Sequence, residues 1–241
     1  MGIVKSILKL LLGENIIAEK EKISEGAYRI QLKSNSIKDA DFEAGNFLRV
    51  AVGAGEANNS RQDFVRSYSV WNIDKTKGAI DIAVATHSNG AGAKWATQCK
   101  VGDTVYFKWK KGKFVVDNSA DSYLLIGDLS ALSHLYIINR YLKNDKQVES
   151  IVYNHHKSDL YKDIDGTTPL NFYEMPQNPT EAIVEKIKEI VPKMKGNKMV
   201  YIAGDSRVCI ALNSYFRREL NWQTKQIKTK SFWNPDKKGL E

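Results

Sequence analysis

Two domains are predicted: an antiparallel β-barrel, followed by a three-layer α/β domain built on a parallel sheet. Three observations predict them. The first half of the 241 residues carries short β-rich runs broken by Gly, Asn and Asp. The second half alternates strand and helix patterns, which places helices on the faces of a parallel sheet. Between the halves lies a short polar stretch, DNSAD at 117–121, that reads as a linker, so the domains are expected at 1–117 and 122–241.

In the first half, strands are expected at 16–23, 28–33, 47–52, 66–73, 79–86 and 104–110. Tyr28-Arg29-Ile30-Gln31-Leu32 alternates as a half-buried antiparallel strand does. Six such strands suit a small closed barrel. One helix, 91–100, interrupts them, and Gly102-Asp103 ends it in a turn. At the front, Lys5 and Lys9 break the apolar run of MGIVKSILKLLLG and no small-residue cleavage site follows, so no signal peptide is expected. The run is too short to span a bilayer. Ile3, Ile7, Leu10 and Leu11 share a helical face, which predicts a short amphipathic helix packed on the body, no membrane insertion and a cytoplasmic location.

In the second half, 123–127 is a continuous apolar strand, followed by a helix over 130–142 and a second strand at 148–153. Thr180 is expected to cap a helix running to 195, with Glu181 in its first turn and Lys193 and Lys195 near its end. A third strand at 199–203, a helix over 206–220 and a last strand at 226–232 complete the pattern.

Composition narrows the class. Hydrophobic content of 42% and charged content of 27% are those of a globular protein, and a net charge of +8 favours anionic partners. Cys99 and Cys209 are far apart with no CxxC, which argues against a disulfide framework or a metal cluster and for two buried thiols. The lysines are scattered, and no motif combines basic and aromatic residues on one sheet, so nucleic acid is not an expected partner.

Several motifs carry chemistry. Arg66, Ser67, Tyr68 and Ser69 follow a polar stretch at 58–63 and precede Val70 and Trp71. Arg66 offers a cationic fork for a pyrophosphate. Tyr68, two residues on, shares its strand face and offers a plane for a ring. Ser69 can bond the polar edge of that ring. A flavin dinucleotide has these three parts, although the same residues also read as an ordinary half-exposed strand. His87, Asn89, Gly90, Ala91, Gly92, Ala93 and Trp95 follow a strand and open a helix. Small residues there admit a ligand to the backbone, and the helix start offers free N–H groups to an anion. His87 alone reads as a structural hydrogen-bonder.

Gly127, Asp128, Ser130 and Ala131 lie at the carboxyl end of the second domain's first strand, and Gly204, Asp205 and Ser206 at the end of its third. Ligands of open parallel sheets bind outside those ends; the plain alternative is a strand-to-helix cap. There is no GxGxxG. The tail at 230–239 mixes Phe232 and Trp233 with lysines, and the aromatic pair argues that its start is docked.

Taken in order, a barrel with RSYS, then HSNGAGAKW, then an α/β domain with GDLSAL, AGDS and a terminal FW resembles the siderophore-interacting protein family, flavin reductases of the ferredoxin–NADP reductase superfamily. The resemblance covers roughly residues 16–238. It implies an FAD-binding barrel and an NAD(P)-binding-like domain. Arg66, Tyr68 and Ser69 match the family's R-x-Y-[ST] flavin motif, and residues 87–95 match the segment that holds the FAD pyrophosphate. Trp233 is expected at the cofactor. Gly127, Asp128 and Ala131, with Gly204 and Asp205, match segments of the pyridine-nucleotide-like domain. Arg49 falls where the family has a basic residue near the substrate pocket, with Lys237 and Lys238 as further basic candidates. Three departures stand out: Trp71 where the family often has Arg, a turn after His87 about one residue shorter, and a second strand ending in Tyr153-Asn154-His155-His156-Lys157 with no readable choice between NADH and NADPH. The implied protein is a monomeric, FAD-dependent ferric-siderophore reductase fed by NAD(P)H or reduced ferredoxin. The alternatives are a reductase serving another protein, and a non-catalytic siderophore- or haem-binding protein.

Overall fold

Alternating apolar residues in the first half place seven strands in one antiparallel sheet. They are β1 (Glu14–Ser24), β2 (Ala27–Lys33), β3 (Phe47–Ala51), β4 (Val65–Ser69), β5 (Asn72–Asp74), β6 (Ala79–Ala85) and β7 (Thr104–Lys110). The computed structural model describes residues 13–52, 65–88 and 90–236. The expected N-terminal helix with Ile3, Ile7, Leu10 and Leu11, the polar stretch at 58–63, Asn89, Lys237 and Lys238 lie outside the described residues.

The sheet order is β4-β3-β7-β1-β2-β6-β5. Its two outermost strands are consecutive in the chain, joined through Val70 and Trp71. The Val70 N–H donates to the Asn46 carbonyl on the β3 side at 3.1 Å, and the Trp71 N–H to the Asp81 carbonyl of β6 at 2.9 Å. This corner closes the sheet into a barrel. The single strand expected at 66–73 is therefore two, because a segment that pairs with both ends of a closed sheet has to bend.

Inside the barrel, Ile30, Leu32, Leu48, Val50, Ile80, Ile82, Val105 and Phe107 form the core. Arg29 and Gln31 point outward at the alternate positions, and both donate to Asp81 Oδ1, at 2.8 and 3.2 Å. Helix α1 (Ala91–Gln98) lays Ala96 and Trp95 on the same core. Its C-terminal end is held by the Lys20 ammonium, which donates to the Thr97 and Cys99 carbonyls at 2.8 Å each. A cation there satisfies carbonyls the helix leaves unpaired.

The chain divides into two compact units between Lys113 and Phe114. That is ahead of the boundary expected at Asp117. The DNSAD stretch belongs to the second unit: Ala120 is buried and the Tyr123 hydroxyl donates to the Asp117 carbonyl at 2.7 Å.

The second unit carries β8 (Ser122–Asp128), β9 (Gln147–Asn154), β10 (Phe172–Glu174), β11 (Lys198–Asp205) and β12 (Ile227–Trp233) in the order β10-β9-β8-β11-β12. Every neighbouring pair is parallel. Its helices are α2 (Leu132–Tyr141), α3 (Thr180–Ile190) and α4 (Ser206–Arg218). All seven residues of β8 are buried, as in a strand covered on both faces. Leu124, Ile126, Val200 and Ile202 pack with Ile183 and Ile187 of α3 and Leu212 and Phe216 of α4. On the opposite face Phe114 packs between His134 of α2, tilted to it, and Tyr201 of β11, edge to face, with ring centroids 4.9 and 5.3 Å away.

Three local readings are corrected. Thr180 does not cap α3: Pro179 is the N-cap, and the Thr180 hydroxyl turns back to Asn178 Oδ1 at 3.3 Å. The helix stops at Ile190 rather than 195 and tightens into a 3-10 turn, Val191–Lys193. Pro192 has no N–H to continue the ladder. Helix α2 starts at Leu132 rather than Ser130, because the Ser130 N–H and hydroxyl both donate to Asp128 Oδ1. Strand β10 has no counterpart among the expected strands, since three residues are too few to show a period.

Candidate functional site

The first unit brings the two predicted flavin motifs together. In β4, Arg66 and Tyr68 alternate with Ser67 and Ser69, and the register sets Arg66 opposite Val50 and Tyr68 opposite Leu48. Arg66 and Tyr68 thus share the face that Val50 and Leu48 turn to the core, yet both stay half-buried. Helix α1 starts against this face. Gly92 is in its first turn, and a Cβ built there would lie 2.3 Å from the Tyr68 hydroxyl and 3.5 Å from Arg66 Cγ. Only a residue without a side chain lets strand and helix approach this closely. Trp95, one turn on, stacks beside Tyr68 with ring centroids 6.0 Å apart and planes 29° apart.

Among the described residues, no side chain occupies the cap of α1; its N-cap is Gly90, in extended conformation. The helix N–H groups there are the ordinary seat for a phosphate. Ala91 and Ala93 flank Gly92 without adding bulk, while His87 and Gly90 are exposed. The guanidinium of Arg66 donates to its neighbour's Val65 carbonyl at 2.8 Å, which anchors one edge of the fork. An uncapped helix start, a cationic fork and a tyrosine plane in one place fit a group that combines a pyrophosphate with a planar ring.

Ser67 and Ser69 stand on the other face of β4. Ser67 is opposite Arg49, and Arg49 is opposite Lys108 on β7. Arg49 therefore faces away from Arg66 and Tyr68, and Ser69 is buried beside Phe47 rather than beside the tyrosine ring. The strand ends at Ser69, next to the barrel corner.

In the second unit, the strand-end residues converge on one carboxylate. Asp128 is buried and accepts four hydrogen bonds. Oδ1 takes the Ser130 N–H at 2.9 Å and its hydroxyl at 2.5 Å; Oδ2 takes the Asp205 N–H and the Trp233 indole N–H, each at 2.8 Å. Gly204 makes room for it: its φ is +120°, and a Cβ would fall 2.3 Å from Asp128 Oδ2. Gly127 is hemmed in less tightly, by Leu135, Ala131 and the Ala203 carbonyl at 2.9–3.0 Å from an added Cβ. Asp205 caps α4, accepting the Arg207 N–H at 2.9 Å and pairing with its guanidinium at 2.7 Å. The Ser206 hydroxyl accepts from the Asn234 amide at 2.6 Å. Trp233 thus belongs to this set, and the role of Asp128 as its anchor is the feature that sequence reasoning missed. The aromatic pair in the tail was its one signal.

The cysteines take no part. Both are free and buried, and burial pushes the Cys209 thiol up to about 12. Among the described residues no group of three or more His, Cys, Asp or Glu is placed to hold a metal ion, and no helix is long and apolar enough to cross a membrane.

Comparison with known proteins accounts for both halves. The profile of the siderophore-interacting FAD-binding domain matches residues 49–112, and that of the siderophore-interacting protein matches residues 120–236. The chain belongs to the siderophore-interacting protein family. The FAD-binding match contains the Arg66–Tyr68 strand, Gly92 and Trp95. Its fold is that of the siderophore-interacting protein SipS from Aeromonas hydrophila, with a TM-score of 0.77 at 18% identity, covering 93% of this chain and 92% of that one. The siderophore-interacting protein from Acinetobacter baumannii gives 0.75 at 15% identity, covering 92% and 90%. Among curated relatives, NADH-cytochrome b5 reductase 1 of Cryptococcus neoformans is 31% identical over 62% of this chain and 52% of its own length. Phthalate dioxygenase reductase of Burkholderia cepacia is 30% identical over 53% of this chain and 38% of its own. The chain spans about half the length of the cytochrome b5 reductases it matches. The fold is thus a reductase-like, FAD-binding oxidoreductase fold: an antiparallel barrel, then a parallel-sheet α/β domain.

Proposed function

We propose that this family member holds FAD on the Arg66–Tyr68 strand and the start of α1, and reduces ferric siderophores to release iron. The observation that carries the reading is the close approach of Gly92 to the Tyr68 hydroxyl, which sets a pyrophosphate seat against a ring seat. Arg66 and the α1 N–H groups would take the pyrophosphate, with His87, Asn89, Gly90 and Ala91 leading into the turn. Tyr68 would pack on the ring, backed by Trp95, while Ser69, on the other face of the strand, would not reach it by its side chain. Bound flavin supplies one- and two-electron chemistry. The donor is NAD(P)H, received at Gly127, Asp128, Ser130, Ala131, Gly204, Asp205 and Ser206, or reduced ferredoxin, which the net charge of +8 suits equally. The cytoplasm is the proposed location.

The chelate is substrate, not cofactor. Many ferric chelates are anionic, and one electron adds a further negative charge. Arg49, with Lys237 and Lys238, would attract them; a unit charge pair at 4 Å is worth about 1 kcal/mol in bulk water and about 4 kcal/mol near a protein surface. Fe²⁺ binds hard oxygen ligands more weakly, so reduction frees the metal. Arg49→Ala combined with Lys238→Ala is expected to raise KM for an anionic chelate severalfold while FAD stays bound. Unchanged kinetics would sink the chelate assignment.

A second reading, delivery of electrons to another protein, is favoured by the likeness to phthalate dioxygenase reductase. The ultraviolet–visible spectrum of the purified protein comes first. Flavin bands are expected, and a colourless protein that takes up no added FAD would leave only a non-catalytic siderophore- or haem-binding role. Anaerobic mixing with NADH, NADPH and reduced ferredoxin then identifies the donor.

A further inference from the structure

Asp128 does more than end a strand. A buried carboxylate is costly unless its oxygens are satisfied, and here all four donors come from the protein. A plain cap of the turn after β8 would need only Oδ1 and Ser130. Oδ2 is instead turned toward the neighbouring strand ends. It holds the Asp205 N–H at the end of β11 and the indole of Trp233 at the end of β12. Strand β11 is built to allow this, since Gly204 sits at φ +120° with no room for a Cβ beside Asp128.

The indole N–H is the one polar atom of a tryptophan side chain, and its bond to Asp128 constrains the ring's direction. Asn234, the next residue, is pinned to Ser206. Trp233 is left half-buried at the carboxyl ends of β8 and β11, where open parallel sheets bind their ligands.

We propose that Asp128 is a positioning residue that acts through Trp233: its carboxylate fixes the indole so that the ring presents a set plane to the nicotinamide of the electron-donating dinucleotide. The identity of that dinucleotide rests on the function proposed above; the hold of Asp128 on Trp233 does not. The arrangement also explains why a carboxylate is tolerated beside an anionic ligand. Its four bonds are all to groups of the protein.

Two readouts test the proposal on the full chain. In the ¹⁵N-labelled protein without added nucleotide, the Trp233 indole N–H resonance is identified by its loss in Trp233→Phe. It is expected to exchange with solvent at least about tenfold more slowly than in Asp128→Ala. If Asp128→Ala does not fold, Asp128→Asn, which offers one acceptor oxygen to four donors, carries the same comparison. Equal exchange in wild type and variant overturns the clasp. Second, kcat/KM for NADH- and NADPH-driven flavin reduction is measured for Asp128→Asn, Trp233→Phe and the double variant. The double variant is expected to be no slower than the worse single variant, because both changes break one chain of contacts. Multiplying losses mean that Asp128 is merely structural. If neither nucleotide reduces the flavin of the wild type, the nicotinamide role falls together with the donor reading, and the indole exchange alone decides the clasp.

Discussion

Two glycines make the candidate sites possible, and each gives a test at the scale of one atom. Gly92→Ala would put a methyl 2.3 Å from the Tyr68 hydroxyl. Either the ring or the first turn of α1 must move. The expected result is a modest stability loss of about 1–3 kcal/mol, typical of overpacking, with FAD affinity lowered by about tenfold or more, which corresponds to about 1.4 kcal/mol. Titration of the apoprotein with FAD followed by tyrosine and tryptophan fluorescence measures it; unchanged affinity would remove Gly92 from the cofactor seat. Gly204→Ala meets both the Asp128 carboxylate and a φ of +120°, so it is expected to cost more than Gly92→Ala in a denaturant melt. At this scale the sequence was legible where residue type alone decides. Small residues before a helix marked a strand-to-helix turn, and the two-residue period of a strand put Arg66 and Tyr68 on one face. It was silent where a partner is distant: Trp233 and Asp128 are 105 residues apart, and only the sheet order brings them together.

The elements followed the sequence closely where an apolar period was long, as in β2 and β8, and less so where a terminus was set by one competing interaction. Pro192 ends α3, Ser130 is drawn away from α2 by Asp128, and the strand at 66–73 is divided by a closure that no local pattern announces. Helix α1 gives the element-scale test. Its C-terminal end depends on Lys20, which donates to two of its carbonyls. Lys20→Met keeps most of the stem and removes the charge. A loss of about 1 kcal/mol is expected from the helix-terminus interaction, together with faster amide exchange in the last turn of α1 and no change at its first turn. Exchange that rises equally along the helix would show that Lys20 supports packing rather than the terminus.

At the scale of the whole molecule, one buried histidine is expected to make stability fall as the solution is acidified. His134 is fully buried between Phe114 and Phe232 and meets the Phe114 carbonyl at 2.9 Å. Burial, and secondarily the nearby Lys230 cation, push its pKa from the ordinary 6.5 to about 3. The folded protein therefore holds this imidazole neutral while the unfolded chain takes up a proton as pH falls below 6.5. Stability contributed by the neutral form is complete above 6.5 and declines toward pH 3, at up to about 1.4 kcal/mol per pH unit. His134→Phe is expected to flatten that slope in urea melts; an identical slope would place the acid sensitivity elsewhere.

On the proposed function, electrons leave a flavin in this protein for iron in an anionic chelate. The most direct measurement takes the purified protein with its flavin reduced anaerobically by light, mixes it with a ferric siderophore, and follows flavin reoxidation together with Fe²⁺ captured by a colorimetric ferrous chelator. Reoxidation matched by one Fe²⁺ per electron, and slowed by Arg49→Ala and by added salt, is the expected result. A flavin that stays reduced in the presence of the ferric chelate, yet is promptly reoxidised by a protein acceptor, would contradict the claim and leave a reductase of another kind.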